Sequence, residues 1–380
     1  MKRYRFSDIA YNITEKKMPV PGDEKLYIGL EHLDSGCLQV TRWGGDIELK
    51  GEKLLMKKGD ILFGRRNTYL RRAAIAPHDG IFSAHGMIFR PKTDVVDPGF
   101  FPFFIASDYF MDEAIRISVG SLSPTVNWGT LKNLEFELPE ISEQQKFARL
   151  LAGFERTKEA YKKLISVTDE LVKSQFIEMF GHLGEDEKGW GITTLGKCCE
   201  LNPKRPKGIN DDLAVSFVPM PAVSEQGEID CTDIKPYSEV KKGFTYFAEH
   251  DVLFAKITPC MENGKGAVAE GLSNGIGAGS TEFHVLRPIE GKSNPYWLYI
   301  ITMFDGFRKD ARKVMTGTGG QLRVPINYLN EYPISLPPIE LQDAFEKFVR
   351  QSDKSKFEAQ QTLKELTDAQ KALMKKIFEQ

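Results

Sequence analysis

The hydrophobic residues in the stretch after Pro139 recur in steps of three, four or seven. Ser142 and Gln145 stand where a capping box would open a helix, and no proline follows until Pro203. This spacing predicts a long amphipathic helix. Its first apolar stripe is Phe147, Leu150, Phe154, Tyr161, Leu164 and Leu171, and its second is Leu151, Ile165, Val172 and Met179.

A second stretch near the end of the chain repeats this pattern, with Gln370 as a polar interruption. A helix of some 38 residues is about 57 Å long, well above the usual length, so we predict that the two helices pair along a coiled-coil seam. The predicted helix-pairing residues are Leu150, Phe154, Tyr161, Leu164, Leu171, Ala359, Leu363, Leu366, Leu373 and Ile377. The alternative is two ordinary amphipathic helices, each packed on its own domain.

The remainder of the chain alternates short β-type runs with brief helical patterns. The runs "GDILFG", "GMIFRP", "DVLFAKI" and "FHVLRP" lie between Gly- and Pro-rich turns, and "SDYFMDEAIRIS" has helical spacing. The predicted fold class is α/β, in the mixed α+β sense, with two globular parts and two long helices. The strand order cannot be predicted from these runs.

The chain reads as an internal duplication. "FELPEISEQQKFARLLAGFE" from Phe136 and "ISLPPIELQDAFEKFVRQSD" from Ile334 align without a gap and pair Gln144 with Gln342. Upstream, "KKGDILFGR" from Lys57 resembles "FAEHDVLFAK" from Phe247. A repeat of this kind implies one structural unit used twice. The predicted division is a globular domain over 1–140, a long helix over 141–181, a polar, Gly-rich joint over 182–191, a second globular domain over 192–337 and a second long helix over 338–380.

Composition narrows the class of protein. The 380 residues are 41% hydrophobic and 27% charged, which indicates a globular protein of two or three domains. The N-terminal segment has no hydrophobic stretch of the signal-peptide kind, and no apolar run reaches the length of a membrane helix, so we expect a cytoplasmic location. The formal net charge is −2, so any nucleic-acid binding must depend on local basic clusters.

Each candidate catalytic or metal-binding motif lacks a residue or a structural context that its chemistry requires. The five cysteines form no C-x-x-C pair and the six histidines are scattered, so we predict free thiols and no metal site. "GIGAG" from Gly275 precedes a β-type run instead of following one, and "SNPYW" from Ser293 lacks a second proline that a methyltransferase motif would have. No P-loop is present. We predict that the chain is not an enzyme, with a cryptic active site as a less favoured alternative.

A basic run in the first copy is a candidate DNA-binding site. "FGRRNTYLRRAA" from Phe63 places four arginines, an amide and an aromatic ring within eight residues, and it contains no neutralising acid. Arginine forks onto guanine and phosphate, and asparagine onto adenine. The predicted DNA-binding residues of this copy are Arg65, Arg66, Asn67, Tyr69, Arg71 and Arg72. The alternative is a solvated strand–turn–strand.

The matching part of the second copy is less basic. "FAKITPCMENGKGAVAEG" from Phe254 contributes Lys256, opposite Arg65, together with Asn263 and Lys265. "NPKRPKG" contributes Lys204 and Arg205, and "FRKDARKVMTGTGGQLR" contributes Arg323. The alternatives are a solvated turn for the first of these segments and an exposed helix face for the second.

Several of these motifs resemble the specificity subunit of Type I restriction–modification enzymes from end to end. The matching stretches are "LPPIELQDAFEKFVRQSDKSKFEAQQTL" with its twin at Leu138, "GDILFGRRNTYLRRAAIA", "ITPCMENGKGA", "TGTGGQLRVP" and "LGKCCELNPKRP". In the first copy, "SVGSLSPTVNWGTL" from Ser118 lacks the fuller "GTGGQLRVP" form.

The resemblance implies two target-recognition domains, each reading one half of a bipartite DNA site, held apart by the long helices pairing antiparallel. It further implies docking of two modification subunits and of restriction subunits. S-adenosylmethionine, ATP and magnesium would then belong to those partners, with no cofactor in this chain. The alternative function is a bivalent protein-interaction scaffold without a DNA role.

Overall fold

A computed structural model describes residues 1–45 and 48–378. The chain divides into two compact units, Met1–Lys162 together with Gln360–Gln380, and Lys163–Ala359. Each unit therefore contains a globular part and a portion of each long helix. Within the described residues, no helix is long and apolar enough to cross a membrane.

The first half of the chain begins the mixed fold that the sequence predicts. Its strands are β1 (Lys2–Arg5), β2 (Ala10–Ile13), β3 (Lys16–Lys17), β4 (Tyr27–Ile28), β5 (Lys53–Met56), β6 (Ile61–Phe63), β7 (Ala73–Ile75), β8 (Gly80–Phe82), β9 (Met87–Pro91) and β10 (Glu135–Leu138). Its helices are α1 (Phe6–Ile9), α2 (Phe101–Ala106), α3 (Asp108–Arg116), α4 (Trp128–Leu131) and α5 (Ile141–Phe180).

The second half repeats this plan. Its strands are β11 (Ile192–Thr194), β12 (Cys199–Leu201), β13 (Ala214–Val218), β14 (Ile234–Pro236), β15 (Thr245–Ala248), β16 (Val252–Ala255), β17 (Gly266–Val268), β18 (Ile276–Gly279), β19 (Phe283–Pro288), β20 (Thr316–Thr318), β21 (Gln321–Arg323) and β22 (Pro333–Ser335). Its helices are α6 (Leu195–Cys198), α7 (Tyr237–Val240), α8 (Pro295–Met303), α9 (Asp305–Lys313), α10 (Ile326–Glu331) and α11 (Ile339–Phe378).

The central sheet has the same strand order in both units. It runs β2–β9–β6–β7 in the first and β12–β19–β16–β17 in the second, with antiparallel pairing. A second sheet in each unit shares the order β5–β8–β4 or β15–β18–β13, with β3 added beside β5 but β14 added beside β13. The duplication is thus a duplication of fold, and the predicted mixed class is confirmed.

Alternating side chains of the central sheet enter different cores. Ile61 and Phe63 of β6 pack into the helix-covered core, whereas Leu62 between them packs into the core against the second sheet. Val252 and Leu253 of β16 divide in the same way. Because successive strand side chains point to opposite faces, a strand covered on both sides must be apolar throughout. That requirement explains the unbroken runs "DILF" and "DVLF".

The long helices pair antiparallel within each unit. In the second unit, Phe176 of α5 lies 5.5 Å from Phe345 of α11, measured between ring centroids, and Lys356 Nζ of α11 lies 2.7 Å from Asp169 Oδ1 of α5. Residue numbers fall along one helix as they rise along the other. In the first unit, Lys158 contacts Gln370 at 2.8 Å, while Leu151 and Phe378 share the helix-covered core. The predicted pairing of the helices is confirmed.

The predicted seam is wrong for Leu150, Leu164 and Leu171, which are 55%, 51% and 50% exposed. The second stripe is buried in their place, through Leu151 and Val172. The two stripes lie about 100° apart around the helix, and both have helical spacing. The spacing therefore predicts the helix but not which of the two stripes is buried. Of the other predicted pairing residues, Ala359 and Ile377 are buried, and Phe154, Tyr161, Leu363, Leu366 and Leu373 are half-buried.

The observed helices α5 (Ile141–Phe180) and α11 (Ile339–Phe378) end within two residues of the predicted bounds 141–181 and 338–380. Residues 379 and 380 lie outside the described part. The joint between the copies is a turn region in which Gly181, Gly184, Gly189 and Gly191 have φ between +73° and +83°. Glycine adopts that left-handed conformation without steric cost. The assignment of functional domains to these segments stays a prediction.

Candidate nucleic-acid interface

The basic run of the first copy forms a tight loop at one edge of the central sheet. It leaves β6 at Phe63 and re-enters the sheet in β7. Asn67 and Arg71 have φ of +53° and +48°, an uncommon conformation for residues with side chains. Arg66 forms an antiparallel bridge with Thr125, which brings the segment 119–125 beside the loop. The loop therefore has a defined shape rather than that of a free solvated turn.

Arg66 and Tyr69 are the exposed members of this predicted set. Tyr69 is 56% exposed, and Arg66 Nη2 lies 3.4 Å from Ser123 Oγ, at the long end of a hydrogen bond. Arg65 Nε and Asn67 Oδ1 are buried and have no hydrogen-bond partner within the described residues. Arg66 and Tyr69 are therefore the members of the set whose side chains a ligand can reach most easily.

Arg71 and Arg72 are engaged inside the unit. Arg71 pairs with Asp108 at 2.7 Å and with Asp112, both on α3. The basic run contains no acid of its own, but α3 supplies two acids that pair with Arg71. Local sequence gave no signal for this pairing. Arg72 Nη1 donates to the carbonyl oxygen of Leu30 at 2.9 Å, and burial lowers its pKa from the usual value. These two arginines hold the loop in place.

The matching edge of the second unit places Lys256 and Arg323 together. Lys256 follows β16, and its carbonyl oxygen accepts from Val324 N at 2.9 Å. Arg323 forms an antiparallel bridge with Ile257 and binds Glu282 through Nε and Nη2 at 2.7–3.2 Å. Burial lowers the pKa of Lys256, and the neighbouring Glu282 opposes that shift.

Asn263 and Lys265 lie in the loop after Lys256. Asn263 is exposed, whereas Lys265 Nζ is partly buried and donates to Met220 O at 3.3 Å. Arg308 stabilises the loop by donating hydrogen bonds to Met261 O and, at 3.1 Å, to Gly264 O. Arg308 is 8% exposed, so "FRKDAR" is not an entirely exposed helix face; burial lowers the pKa of Arg308 to about 10.

Lys204 and Arg205 lie beyond the same sheet edge as Lys256. Both β12 and β16 run antiparallel to β19, so their C-terminal ends share one edge. Lys204 is exposed, whereas Arg205 donates to Phe244 O at 3.1 Å and lies over the ring of Tyr237. The predicted second-copy residues thus gather at one edge, with Lys204 and Asn263 the most exposed.

An equivalent ion pair lies at the start of a central strand in each unit. Arg90 binds the buried Asp60 at 2.8 and 2.9 Å in the first unit, and Arg287 binds the buried Asp251 at 2.8 and 2.7 Å in the second. The pairing raises the pKa of both arginines. Each acid precedes a central strand, β6 or β16, so equivalent pairs hold equivalent strands.

Other chemistry-bearing groups are few in the described chain. The five cysteines are free; burial raises the pKa of Cys198 to about 11 and of Cys199 to about 12, which makes them poor nucleophiles. His182, Glu185 and Glu187 bring possible ligand atoms within 4.8 Å of one another in the joint, where all three are exposed and His182 bonds Glu187 at 2.6 Å.

A second candidate surface lies on the long helix in the second unit. Leu164, Val167 and Leu171 are 51%, 46% and 50% exposed and recur at steps of three and four along one face of α5. We call these three residues the α5 apolar stripe. Exposed apolar residues grouped on one face indicate a contact surface more often than scattered ones do.

The family model for the Type I restriction modification DNA specificity domain matches residues 12–168 and 187–368. The chain belongs to this family, so the predicted resemblance is confirmed. It is 36% identical over 223 residues to the Type I restriction enzyme EcoAI specificity subunit and over 219 residues to the EcoEI specificity subunit, both of Escherichia coli. These alignments cover 56% and 55% of this chain but 38% and 36% of the relatives, which is well under half of their length. The relatives are named specificity subunits, not catalytic subunits.

Solved structures share the fold. A chain from a study of complex assembly and conformational transition of the type I R-M system is 17% identical, with a TM-score of 0.57, and the match covers 99% of this chain and 97% of that one. The Type-I restriction-modification system S subunit from M. genitalium is 14% identical, also with a TM-score of 0.57, over 99% and 96%. Both likenesses support two globular parts joined by long helices.

Proposed function

We propose that this chain is the sequence-specific DNA-binding subunit of a Type I restriction–modification complex. Each globular part reads one half of a bipartite, asymmetric site on double-stranded DNA. The chain itself is non-catalytic. Methylation, with S-adenosylmethionine, belongs to two modification subunits, and ATP- and magnesium-dependent cleavage belongs to restriction subunits. The complex acts in the cytoplasm.

The observation that carries this proposal is that the two units have the same strand order but unlike loops at the equivalent sheet edge. Asp60–Arg90 and Asp251–Arg287 hold equivalent strands in the two units. The loops that follow these strands differ in every predicted contact residue: the first copy offers Arg65 and Arg66 where the second offers Lys256 and Ile257. A symmetric target would need two like edges, whereas unlike edges suit two different half-sites.

The helix pair sets the spacer in this proposal. Each helix has 40 residues, about 60 Å at 1.5 Å per residue. Half-sites on one face of DNA lie about 34–36 Å apart. A stiff pair of this length can span such a distance, whereas a flexible linker would tolerate many spacings.

The α5 apolar stripe is where a modification subunit docks. Leu164, Val167 and Leu171 face solvent in this chain, while the helices pair through other residues of α5. A partner that covers the stripe would remove this apolar surface from water, at roughly 25 cal/mol per Å² buried.

The test is methylation mapping with the reconstituted complex of this chain and its modification subunit. We expect methylated adenines in a fixed interrupted sequence with two unlike halves. Seven residues inserted after Lys163 in α5 and seven after Thr362 in α11 should lengthen the gap by about three base pairs, since seven residues add about 10 Å and base pairs are about 3.4 Å apart. These points lie midway between the contacts Lys158–Gln370 and Asp169–Lys356.

Changed half-sites with an unchanged gap would contradict the role of the helices. The scaffold alternative makes the opposite prediction for DNA. A complex whose DNA affinity neither depends on sequence nor falls with salt would favour an interaction scaffold over a reader.

A further inference from the structure

The guanidinium of Arg323 is held from one side. Its Nε donates to Glu282 Oε2 at 2.9 Å and its Nη2 donates to Glu282 Oε1 at 2.7 Å, so the carboxylate covers the Nε–Nη2 edge. Nη1 reaches the carbonyl oxygen of Gln321 at 3.3 Å. Of the five N–H groups of an arginine, one on Nη1 and one on Nη2 are left over. An arginine held along its Nε–Nη2 edge still presents its Nη1–Nη2 end, where one N–H of each nitrogen points outward in parallel.

The segment that carries Arg323 is fixed in position. Thr258 Oγ1 donates to Gly320 O at 2.7 Å and accepts from Leu322 N at 3.1 Å, which ties the hairpin β20–β21 to the loop after β16. A side chain held by Glu282 on a hairpin held by Thr258 has little rotamer freedom left to lose on binding.

The surroundings favour an electron-rich ligand. The carboxylate of Glu282 binds Arg323, and the backbone N–H of Lys256 donates to Glu282 O at 2.9 Å, so one carboxylate and two cations lie in this group and its net charge is positive. The side chain of Arg323 is 40% exposed, so a ligand can reach its free end. A pair of parallel N–H donors fits the O6 and N7 acceptors of guanine in the major groove.

The first unit has its own arginine at this bridge, but on the other strand. There Arg66 pairs with Thr125, in the positions that Ile257 and Arg323 occupy in the second unit. His85 stands in the position of Glu282, counting from the equivalent arginines Arg90 and Arg287. Each unit therefore has one arginine at the same bridge, but on opposite sides of it. Two sites that recognise different bases would need such a difference.

We propose, building on the DNA-reading function proposed above, that Arg323 reads a guanine in one half-site and that Glu282 is its positioning residue. Glu282 itself touches no DNA in this proposal. It fixes the plane of the guanidinium so that the two remaining N–H groups meet one base edge.

The experiment compares the methylation rates of the complete complex on its mapped site and on sites altered at single positions. Glu282→Gln, of the same shape, places an amide against Nε and loosens the arginine. We expect it to reduce discrimination at one guanine by on the order of 10- to 100-fold and to leave the other positions unchanged. Arg323→Lys should act at the same position, because lysine keeps the charge but lacks the fork. Glu346→Gln is the matched control, since it makes the same change in the Arg350–Glu346 pair on α11, outside every predicted DNA-binding segment, and should change no position.

A uniform loss across all sequences, with Arg323→Lys close to wild type, would assign Arg323 to a phosphate and overturn the proposal. Unchanged discrimination in Glu282→Gln would overturn the positioning role. If the wild-type complex methylated no fixed sequence, the proposed function itself would fall, and this inference with it.

Discussion

Gln144 and Gln342 make the same hydrogen bonds from the first turns of the two long helices. Gln144 Nε2 donates to Pro139 O at 2.8 Å and its Oε1 accepts from Asp97 N at 2.8 Å; Gln342 does the same with Pro337 O at 2.8 Å and Asn294 N at 2.9 Å. Both amides are buried, 1% and 0% exposed. They fasten each helix to the globular part that precedes it.

Replacing either glutamine by leucine should therefore destabilise its unit. Buried backbone groups left without partners cost about 1–3 kcal/mol each, so we expect a loss of about 2–4 kcal/mol in the free energy of unfolding for Gln342→Leu. Ala344→Leu, at an exposed position of the same helix two residues further on, is the control and should stay within about 0.5 kcal/mol. Chemical denaturation measures both. Equal effects at Gln342 and Ala344 would show that the amide does not anchor the helix.

The pair Lys356–Asp169 should respond unequally to loss of its two members. The Lys356 side chain is 8% exposed and that of Asp169 is 53% exposed. Asp169→Ala leaves a buried ammonium without its partner, whereas Lys356→Met leaves a carboxylate that water can reach. We expect Asp169→Ala to destabilise the second unit by about 1–3 kcal/mol and Lys356→Met to be near neutral. The reverse order in thermal or denaturant unfolding would refute this account of the seam.

Arg66 and Arg71 should differ in their effect on DNA binding. Arg66 is exposed at the sheet edge, while Arg71 is paired with Asp108 and Asp112. We expect Arg66→Ala to weaken DNA binding by the complex by about 1–3 kcal/mol, and Arg71→Ala to weaken it less. Affinity measured over a range of salt concentrations separates base from phosphate contacts. An equal loss in both variants would mean that Arg71 leaves its acids on binding.

His284 should make the second unit less stable in mild acid. It is 5% exposed, with Nε2 2.8 Å from Val324 O and Nδ1 3.2 Å from Asn202 Nδ2. Burial lowers its pKa from 6.5, with Lys256 lowering it further and the hydrogen bond to Val324 and the nearby Glu282 opposing the shift. The unfolded chain then binds a proton that the folded chain does not, so stability falls as pH decreases below about 6.5.

The contribution of His284 can be isolated by substitution. His284→Gln should remove this part of the pH dependence even if it lowers stability at neutral pH. Unfolding curves collected between pH 7.5 and 5 for both proteins are the measurement. The prediction is wrong if the variant keeps the wild-type slope over that interval.

The α5 apolar stripe should be needed for partner binding but not for folding. Leu164→Ser with Leu171→Ser should reduce association with the modification subunit at least tenfold while leaving the unfolding transition nearly unchanged, because both side chains are half exposed. Ile192→Ser, at a comparably exposed position away from the helix, is the control. Co-purification and titration calorimetry measure the association. Unchanged binding in the double variant would place the docking surface elsewhere.

The sequence by itself determined the elements and their repetition. Apolar spacing over some 40 proline-free residues specifies a helix whatever surrounds it, and unbroken runs such as "DILF" specify strands covered on both faces. The alignment of Gln144 with Gln342 likewise predicted a shared role, because equal residues in equal places of a duplicated unit meet equal surroundings.

Only the tertiary structure decided which surfaces are used. Helical spacing defines faces but not the neighbour that covers them, so Leu151 and Val172 are buried while Leu150, Leu164 and Leu171 are exposed. Local sequence also cannot show that Asp108 and Asp112 reach Arg71, or that Glu282 reaches Arg323, across 37–41 residues. Ion pairs between distant segments depend on how the chain folds back on itself. Such pairs separate the arginines that support the loops from those that stay exposed at the sheet edge.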